Sequence, residues 1–378
     1  MIYLLLGSYL FSLVLIYDGV NYRKGRNFNF LLAYILMVAL MAFRYRVGGD
    51  TLNYIGHFEN TTPQLYALKL FATEKLQPIP AIIFSFCKTF FDDFTYVQAI
   101  FAIFVNAVVF HFFKKNTRYV FTAIFLYALT FYMRLNCEIM RESLAIAFFL
   151  LGYPHMMKHK YINYFIYAFF AFMCHSSAVF IFTLPLFLSL KSRKNVILVF
   201  LLFISIMTVL INNEIIMKNI EFYLNFFAEY NSTDFGKIGI VLFQIIVPFM
   251  FLSGYKRYVS TFTRFGIYAY IGCGVLSLFF YILYRFNNYL MPIYILLVTD
   301  YLNTLRYRRG LSFPKFRLAV MSFVFLYTFM SPFFRDVTRT VGHPARWYCC
   351  WYPYYSIFDK QEDTDREYFI AHQNDEQH

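Results

Sequence analysis

Apolar residues run along this chain in long blocks, and polar residues gather in the short gaps between them. The blocks lie near 2–17, 28–43, 79–91, 94–113, 119–133, 138–154, 161–174, 176–190, 195–211, 238–253, 265–283, 286–304 and 318–332. Apolar runs of this kind predict membrane helices, because hydrocarbon leaves each segment to satisfy its own backbone polar groups. The short alternating segments of a membrane β-barrel are absent from the pattern. The predicted fold is therefore all-α: a polytopic integral membrane protein of about twelve transmembrane helices plus one re-entrant or interfacial segment. That segment is 78–91, "PIPAIIFSFCKTFF", which is short and carries two prolines and Lys88. The first block has no basic leader and no small-residue cleavage site, so it reads as a span rather than a removed signal peptide.

The gaps set the orientation. The loops 21–27, 114–118, 158–160, 191–194, 255–264 and 306–317 hold 19 of the 34 basic residues and no acidic one. Cytoplasmic loops carry such an excess, which places these loops inside. The organisation that follows is a single transmembrane domain, 1–332, with extracytoplasmic loops 44–78 and 212–237. An extracytoplasmic polar tail follows at 333–378, and its composition reads as disordered toward its end.

Composition narrows the class further. The chain has 378 residues, 60% of them hydrophobic and only 15% charged, which excludes a water-soluble globule. The net charge of +13 would suit nucleic acid, but the basic residues sit where topology needs them, so no nucleic-acid partner is expected. The six cysteines show no metal-ligand spacing, and Asp363-Thr364-Asp365 lies in the polar tail. Neither a metal nor another cofactor is expected.

Some charges have no topological reason to be where they are. "FRYRVGGD" (43–50) brings Arg44, Arg46 and Asp50 to the outer side, with Gly48-Gly49 able to break the helix and turn the backbone. Arg134, Arg141 and Arg285 lie at the same level. Arginine suits a phosphate-like anion, because its planar fork binds in bidentate fashion and keeps its charge on burial. Each residue also has a plainer reading. Arg44 and Arg46 could snorkel, Arg141 could pair with Glu138, Arg285 could cap a turn, His175 could bond Ser177, and Asp50 could only cap the helix "TLNYIGHF".

Several segments together resemble a family. "FRYRVGGDTLNY", then Glu74 in "EKLQPIP", "RESLAIAF", "HSSAVF", "RFNNYL" and "YPYYSIF" (352–358) occur in the order seen in EpsG-type, Wzy-like polysaccharide polymerases. The resemblance spans roughly residues 28–358. It implies a multi-pass membrane glycosyltransferase of the bacterial inner membrane, with its active site facing the periplasm or cell exterior. Such enzymes transfer a growing glycan from undecaprenyl pyrophosphate to the non-reducing end of another lipid-linked repeat, making O-antigen, capsule or exopolysaccharide. Partners implied are the undecaprenyl-pyrophosphate-linked oligosaccharide, membrane lipids, a flippase and a chain-length regulator.

The resemblance also suggests roles. Arg44, Arg46, Arg141 and Arg285 would hold the pyrophosphate as charge grows on it. His175, Asp50 and Glu74 are the candidate bases, with His175 preferred because its ordinary pKa lies near neutrality. Tyr54 and Tyr289 would stack on sugar rings. Rival readings are a lipid-linked glycan flippase or transporter, a polysaccharide ligase, or a membrane acyltransferase. A flippase needs charges along a path through the bilayer, an acyltransferase needs its histidine on the cytoplasmic side, and a ligase differs only in its acceptor.

Overall fold

The structure, a computed structural model, describes residues 2–61, 77–189, 238–255, 259–279, 281–307 and 347–372. Among these residues it is helical, with one isolated antiparallel bridge between Arg44 and Ser356. The chain divides into two compact units. The first is Met1–Leu151, Phe169–Ser176 and Ile295–His378; the second is Gly152–Ala168 and Ser177–Tyr294.

The first unit begins with α1 (Ile2–Leu13), which runs into a π-helical turn, Val14–Gly19. It continues through α2 (Arg26–Ala42), α3 (Thr51–Glu59), α4 (Pro78–Phe90), α5 (Phe94–Asn116) and α6 (Val120–Thr130). Helix α2 packs along α5, where Phe110 meets Phe30 and Tyr34 edge-on at 5.4 and 5.5 Å. The start of α5 is fixed locally: the Asp93 carboxylate accepts from the Thr95 N–H at 2.8 Å and satisfies a donor the helix leaves open. Phe58 of α3, Phe84 of α4 and Phe94 of α5 form one aromatic cluster with centroids 5.8–6.3 Å apart. That cluster fixes the short α3 against two longer helices.

A polar knot stiffens the same unit. Asn106 donates to Asn136 at 2.9 Å and accepts from the Tyr127 hydroxyl at 3.0 Å. All three are buried, so their mutual bonds offset the cost of removing them from water. They pin the π-helical turn Arg134–Glu138, which leads into α7 (Met140–Met157). Single π-turns often accompany functional sites, because the extra residue re-aims the side chains that follow.

Helices α7, α8 (Tyr161–Cys174) and α12 (Phe286–Tyr307) each contribute residues to both units. The second unit contains α9 (Leu184–Ser189), α10 (Val247–Tyr255) and α11 (Thr261–Ser277). Gly266 sets the spacing there: a Cβ would lie 2.7 Å from Ile293. The Tyr153 hydroxyl donates to the Phe262 carbonyl at 2.7 Å, and Tyr270 stacks on Tyr294 at 5.2 Å. The last helix, α13 (Thr364–His372), belongs to the first unit.

Two stretches among the described residues, Ile2–Gly19 and Phe94–Asn116, are long and apolar enough to cross a membrane. Others, including Arg26–Ala42 and Tyr161–Cys174, are apolar but shorter. Leu4, Leu5, Ile162 and Phe169 face outward, as lipid-facing residues do. The expected count of about twelve spans is not reached among the described residues. The blocks 195–211 and 318–332 lie outside them, as does the loop 212–237. Segment 78–91 forms the helix Pro78–Phe90, whose 13 residues give roughly 20 Å at 1.5 Å per residue, shorter than a bilayer core. Of the polar tail, residues 347–372 belong to the first unit and include the helix α13, while 333–346 and the end, 373–378, lie outside the described residues.

Candidate active site

Helix α2 ends at Ala42, ahead of both arginines of "FRYRVGGD". A helix end leaves carbonyls without partners. Arg44 supplies one: its Nη1 donates to the Met41 carbonyl at 2.8 Å and its Nε to the Val47 carbonyl at 3.0 Å. Its Nη2 lies 3.3 Å from the Met140 sulfur, and the side chain is 1% exposed. Arg44, expected on the pyrophosphate, directs these donors within the protein. Its guanidinium holds the turn that follows α2.

The tail lies along this turn. The Tyr45 N–H donates to the Tyr355 carbonyl, and the Ile357 N–H to the Phe43 carbonyl, both at 2.9 Å. The Gly48 N–H donates to the Cys350 carbonyl at 2.8 Å. Arg46 stands at φ 53°, an uncommon conformation for a side-chain-bearing residue, and its guanidinium meets the Glu367 carboxylate at 2.7 Å. Glu362 lies 3.8 Å from it. Arg46 is therefore also committed within the protein. Arg366 is buried and donates to the carbonyls of Cys349, at 2.7 Å, and Pro353. Burial lowers the Arg366 pKa, which the nearby Asp363 carboxylate opposes. Cys349, Cys350 and Ile370 form a small core, and Leu52 of α3 packs against it.

Gly48 turns the chain into α3. Its φ is 120°, and a Cβ would fall 2.6 Å from the Thr51 hydroxyl and 2.7 Å from the Cys137 Cβ. Only glycine fits. Asp50 occupies the cap position of α3, yet its carboxylate makes no capping bond. It lines a cleft of about 400 Å³ with Leu52, Asn53, Tyr54, Gly56, His57, Asn60 and Arg141.

Arg141 sits in the first turn of α7, directly after the π-turn. Its Nη1 approaches the Gln77 side-chain oxygen at 3.4 Å, and its guanidinium carbon lies 5.8 Å from the Tyr54 ring centroid. Its Nε is buried, with no hydrogen-bond partner among the described residues. Nor does a carboxylate lie within 4.0 Å of the guanidinium among those residues. Tyr54 donates to the Glu138 carbonyl at 3.3 Å, so it braces both the guanidinium and the π-turn. Burial pushes the Tyr54 phenol up to about 12, with Arg141 opposing and Asp50 adding to the rise.

His175 follows α8 and does not line the cleft. Ser177, its anticipated partner, bonds the Tyr289 hydroxyl at 2.8 Å. Tyr289 is fully buried in the second unit, which leaves no ring face for a sugar. Tyr54 is 6% exposed and braces Arg141 rather than offering a stacking platform. Arg285 ends the 3₁₀ turn Tyr281–Arg285 of the second unit. Glu74 lies outside the described residues. Among these residues no group of His, Cys, Asp and Glu has metal-site geometry.

Sequence reasoning passed over Gln77, Asn53, His57 and Asn60. The last three had a readable signal: they recur at i, i+4 and i+7 in "NYIGHFEN", a polar stripe at helical spacing.

The chain belongs to the EpsG family, whose model matches residues 27–356. No curated relative and no solved structure matches it. Membership places the chain in polysaccharide biosynthesis, as a membrane protein.

Proposed function

We propose that this EpsG family protein polymerises lipid-linked oligosaccharide repeats, using the cleft between α3 and the start of α7 as its active site. The donor is a glycan on undecaprenyl pyrophosphate, and the acceptor is the non-reducing end of another lipid-linked repeat. The observation that carries the reading is Arg141. Its guanidinium lines the cleft, and among the described residues no carboxylate lies within 4.0 Å of it. Such a cation keeps its charge for an incoming anion.

The chemistry needs that cation. As the bond from sugar C1 to the pyrophosphate oxygen breaks, its electron pair moves onto the leaving oxygen. A guanidinium already held by Gln77 and Tyr54 stabilises this charge with little reorganisation, so it favours the transition state over the ground state. Asp50 brings the opposite charge to the acceptor side of the cleft. Arg44, Arg46 and Arg366 hold the wall that carries Asp50.

The extracytoplasmic placement has separate support. Residues 43–48 bond to residues 350–357, so this turn and this part of the tail lie on one side of any membrane. The basic loops 21–27 and 114–118 flank the far ends of α2 and α5.

The test is polymerisation of a purified lipid-linked repeat by the purified protein, with products separated on a gel. The wild type is expected to give a ladder, and Arg141→Lys to lose it while remaining folded, since a point ammonium does not reproduce the fork. A full ladder from Arg141→Lys would remove the cleft from the reaction. Deleting the gene should leave single repeats at the cell surface. Unattached polymer would instead indicate a ligase, and loss of all surface glycan a flippase.

A further inference from the structure

Helix α3 presents more to the cleft than one carboxylate. Asp50, Asn53, His57 and Asn60 all line it. At 3.6 residues per turn they fall within about 80° of the helix circumference, over roughly 15 Å of its length. Asn53 and Asn60 are exposed, and neither side-chain amide has a partner among the described residues. The other face of α3 is occupied, with Tyr54 and Phe58 buried. A short helix held by its apolar face thus offers a row of amides, an imidazole and a carboxylate to one open groove, across from a guanidinium.

We infer that this face of α3 is the acceptor-sugar subsite, with His57 as the catalytic base and Asn53 and Asn60 as the residues that recognise the acceptor's hydroxyls. The inference rests on the polymerase reading above and assigns the side of the site which that reading leaves open. Neutral amides donate and accept at once, which suits neighbouring hydroxyl groups. A row of them suits an extended glycan better than a single sugar.

The reaction then balances within the cleft. An unprotonated imidazole nitrogen of His57 takes the proton of the acceptor hydroxyl, and that oxygen forms the new bond to the donor's C1. The bond from C1 to the pyrophosphate oxygen breaks, and its electron pair leaves with the lipid pyrophosphate facing Arg141. The products are the lengthened glycan, the free lipid pyrophosphate and a protonated His57, which returns its proton to water. Asp50, in the same cleft, favours the imidazolium that forms. His57 takes the part that sequence reading gave to His175.

The experiment uses full-length purified protein, a lipid-linked repeat as donor at fixed concentration, and a short-chain lipid analogue of the repeat as titrated acceptor. His57→Ala is expected to lower kcat at least roughly hundredfold with the acceptor KM little changed, and added imidazole to restore part of the turnover. Asn60→Ala, at an exposed position where folding is not at stake, is expected to raise the acceptor KM about tenfold with kcat nearly intact. Normal turnover by folded His57→Ala, or an unchanged acceptor KM in Asn60→Ala, overturns the subsite while a wild-type ladder keeps the polymerase standing. No product from the wild type overturns the polymerase reading, and this one with it.

Discussion

Arg46 and Glu367 stand 321 positions apart in the chain and meet at 2.7 Å. Their side chains are 23% and 33% exposed, so water screens much of the attraction. A pair of this kind is worth about 1 kcal/mol at most. The apolar core beside it contributes more, at roughly 1.5–3 kcal/mol for each large side chain fully buried. We expect a double-mutant cycle of Arg46→Gln and Glu367→Gln, followed by thermal unfolding in detergent, to give a coupling of about 0.5–1 kcal/mol that shrinks with salt. A coupling above about 3 kcal/mol would make the ion pair, not the core, the main fastening of the tail.

Arg366 is the stronger fastening. Its guanidinium holds the carbonyls of Cys349 and Pro353 in a buried position. Replacing it with methionine keeps the bulk and abandons those carbonyls, at roughly 1–3 kcal/mol. Arg366→Met should make the segment 347–372 sensitive to added protease at concentrations that spare the wild type. Equal resistance would show that the tail is held without it.

Gly48 and Gly56, eight positions apart, make a sharper comparison. At Gly48 a methyl group collides with Thr51 and Cys137 in a positive-φ conformation. At Gly56 it meets nothing within 4 Å. Gly48→Ala should cost on the order of 3 kcal/mol, whereas Gly56→Ala should gain about 0.5–1 kcal/mol from a less flexible unfolded chain. Melting temperatures of the two variants would decide it, and equal values would remove the turn from the account.

Tyr54 carries a pH signature. Its phenol ionises near 10 in the unfolded chain and near about 12 in the fold. The folded state therefore holds the proton more tightly. The stability this confers is complete below pH 10 and is lost as pH rises toward about 12. We expect the wild type to lose about 1 kcal/mol more than Tyr54→Phe between pH 9 and pH 11. Parallel alkaline melting curves would contradict the burial that sets the shift.

Parts of this site were legible in the chain and parts were not. Asp50 announced the start of a helix, Gly48 a turn, and Arg141 a charge without a topological purpose, because each signal is local. Arg44 misled for a physical reason. The same guanidinium that suits a phosphate also suits stranded helix carbonyls, and only the end of α2 at Ala42 decides between them. The tail misled through its composition. Glu367 falls in that polar stretch, and its partner Arg46 lies 321 positions away, a meeting no periodicity encodes. His57 was overlooked beside His175 because a histidine within a short loop helix gains meaning only once the cleft above it is seen.

The bonds between residues 43–48 and 350–357 also carry a consequence for biosynthesis. A ribosome adding roughly 5–20 residues per second needs about 15–60 s to travel from one strand of this seam to the other. Throughout that interval the first helices are already in the bilayer, while the turn bearing Asp50 has nothing to lean on. A chain cut short before residue 347 would keep Arg44, Arg46, Arg141 and Arg285 and still lack the buttress of its cleft. The wall of the cleft is thus completed only when synthesis is nearly finished.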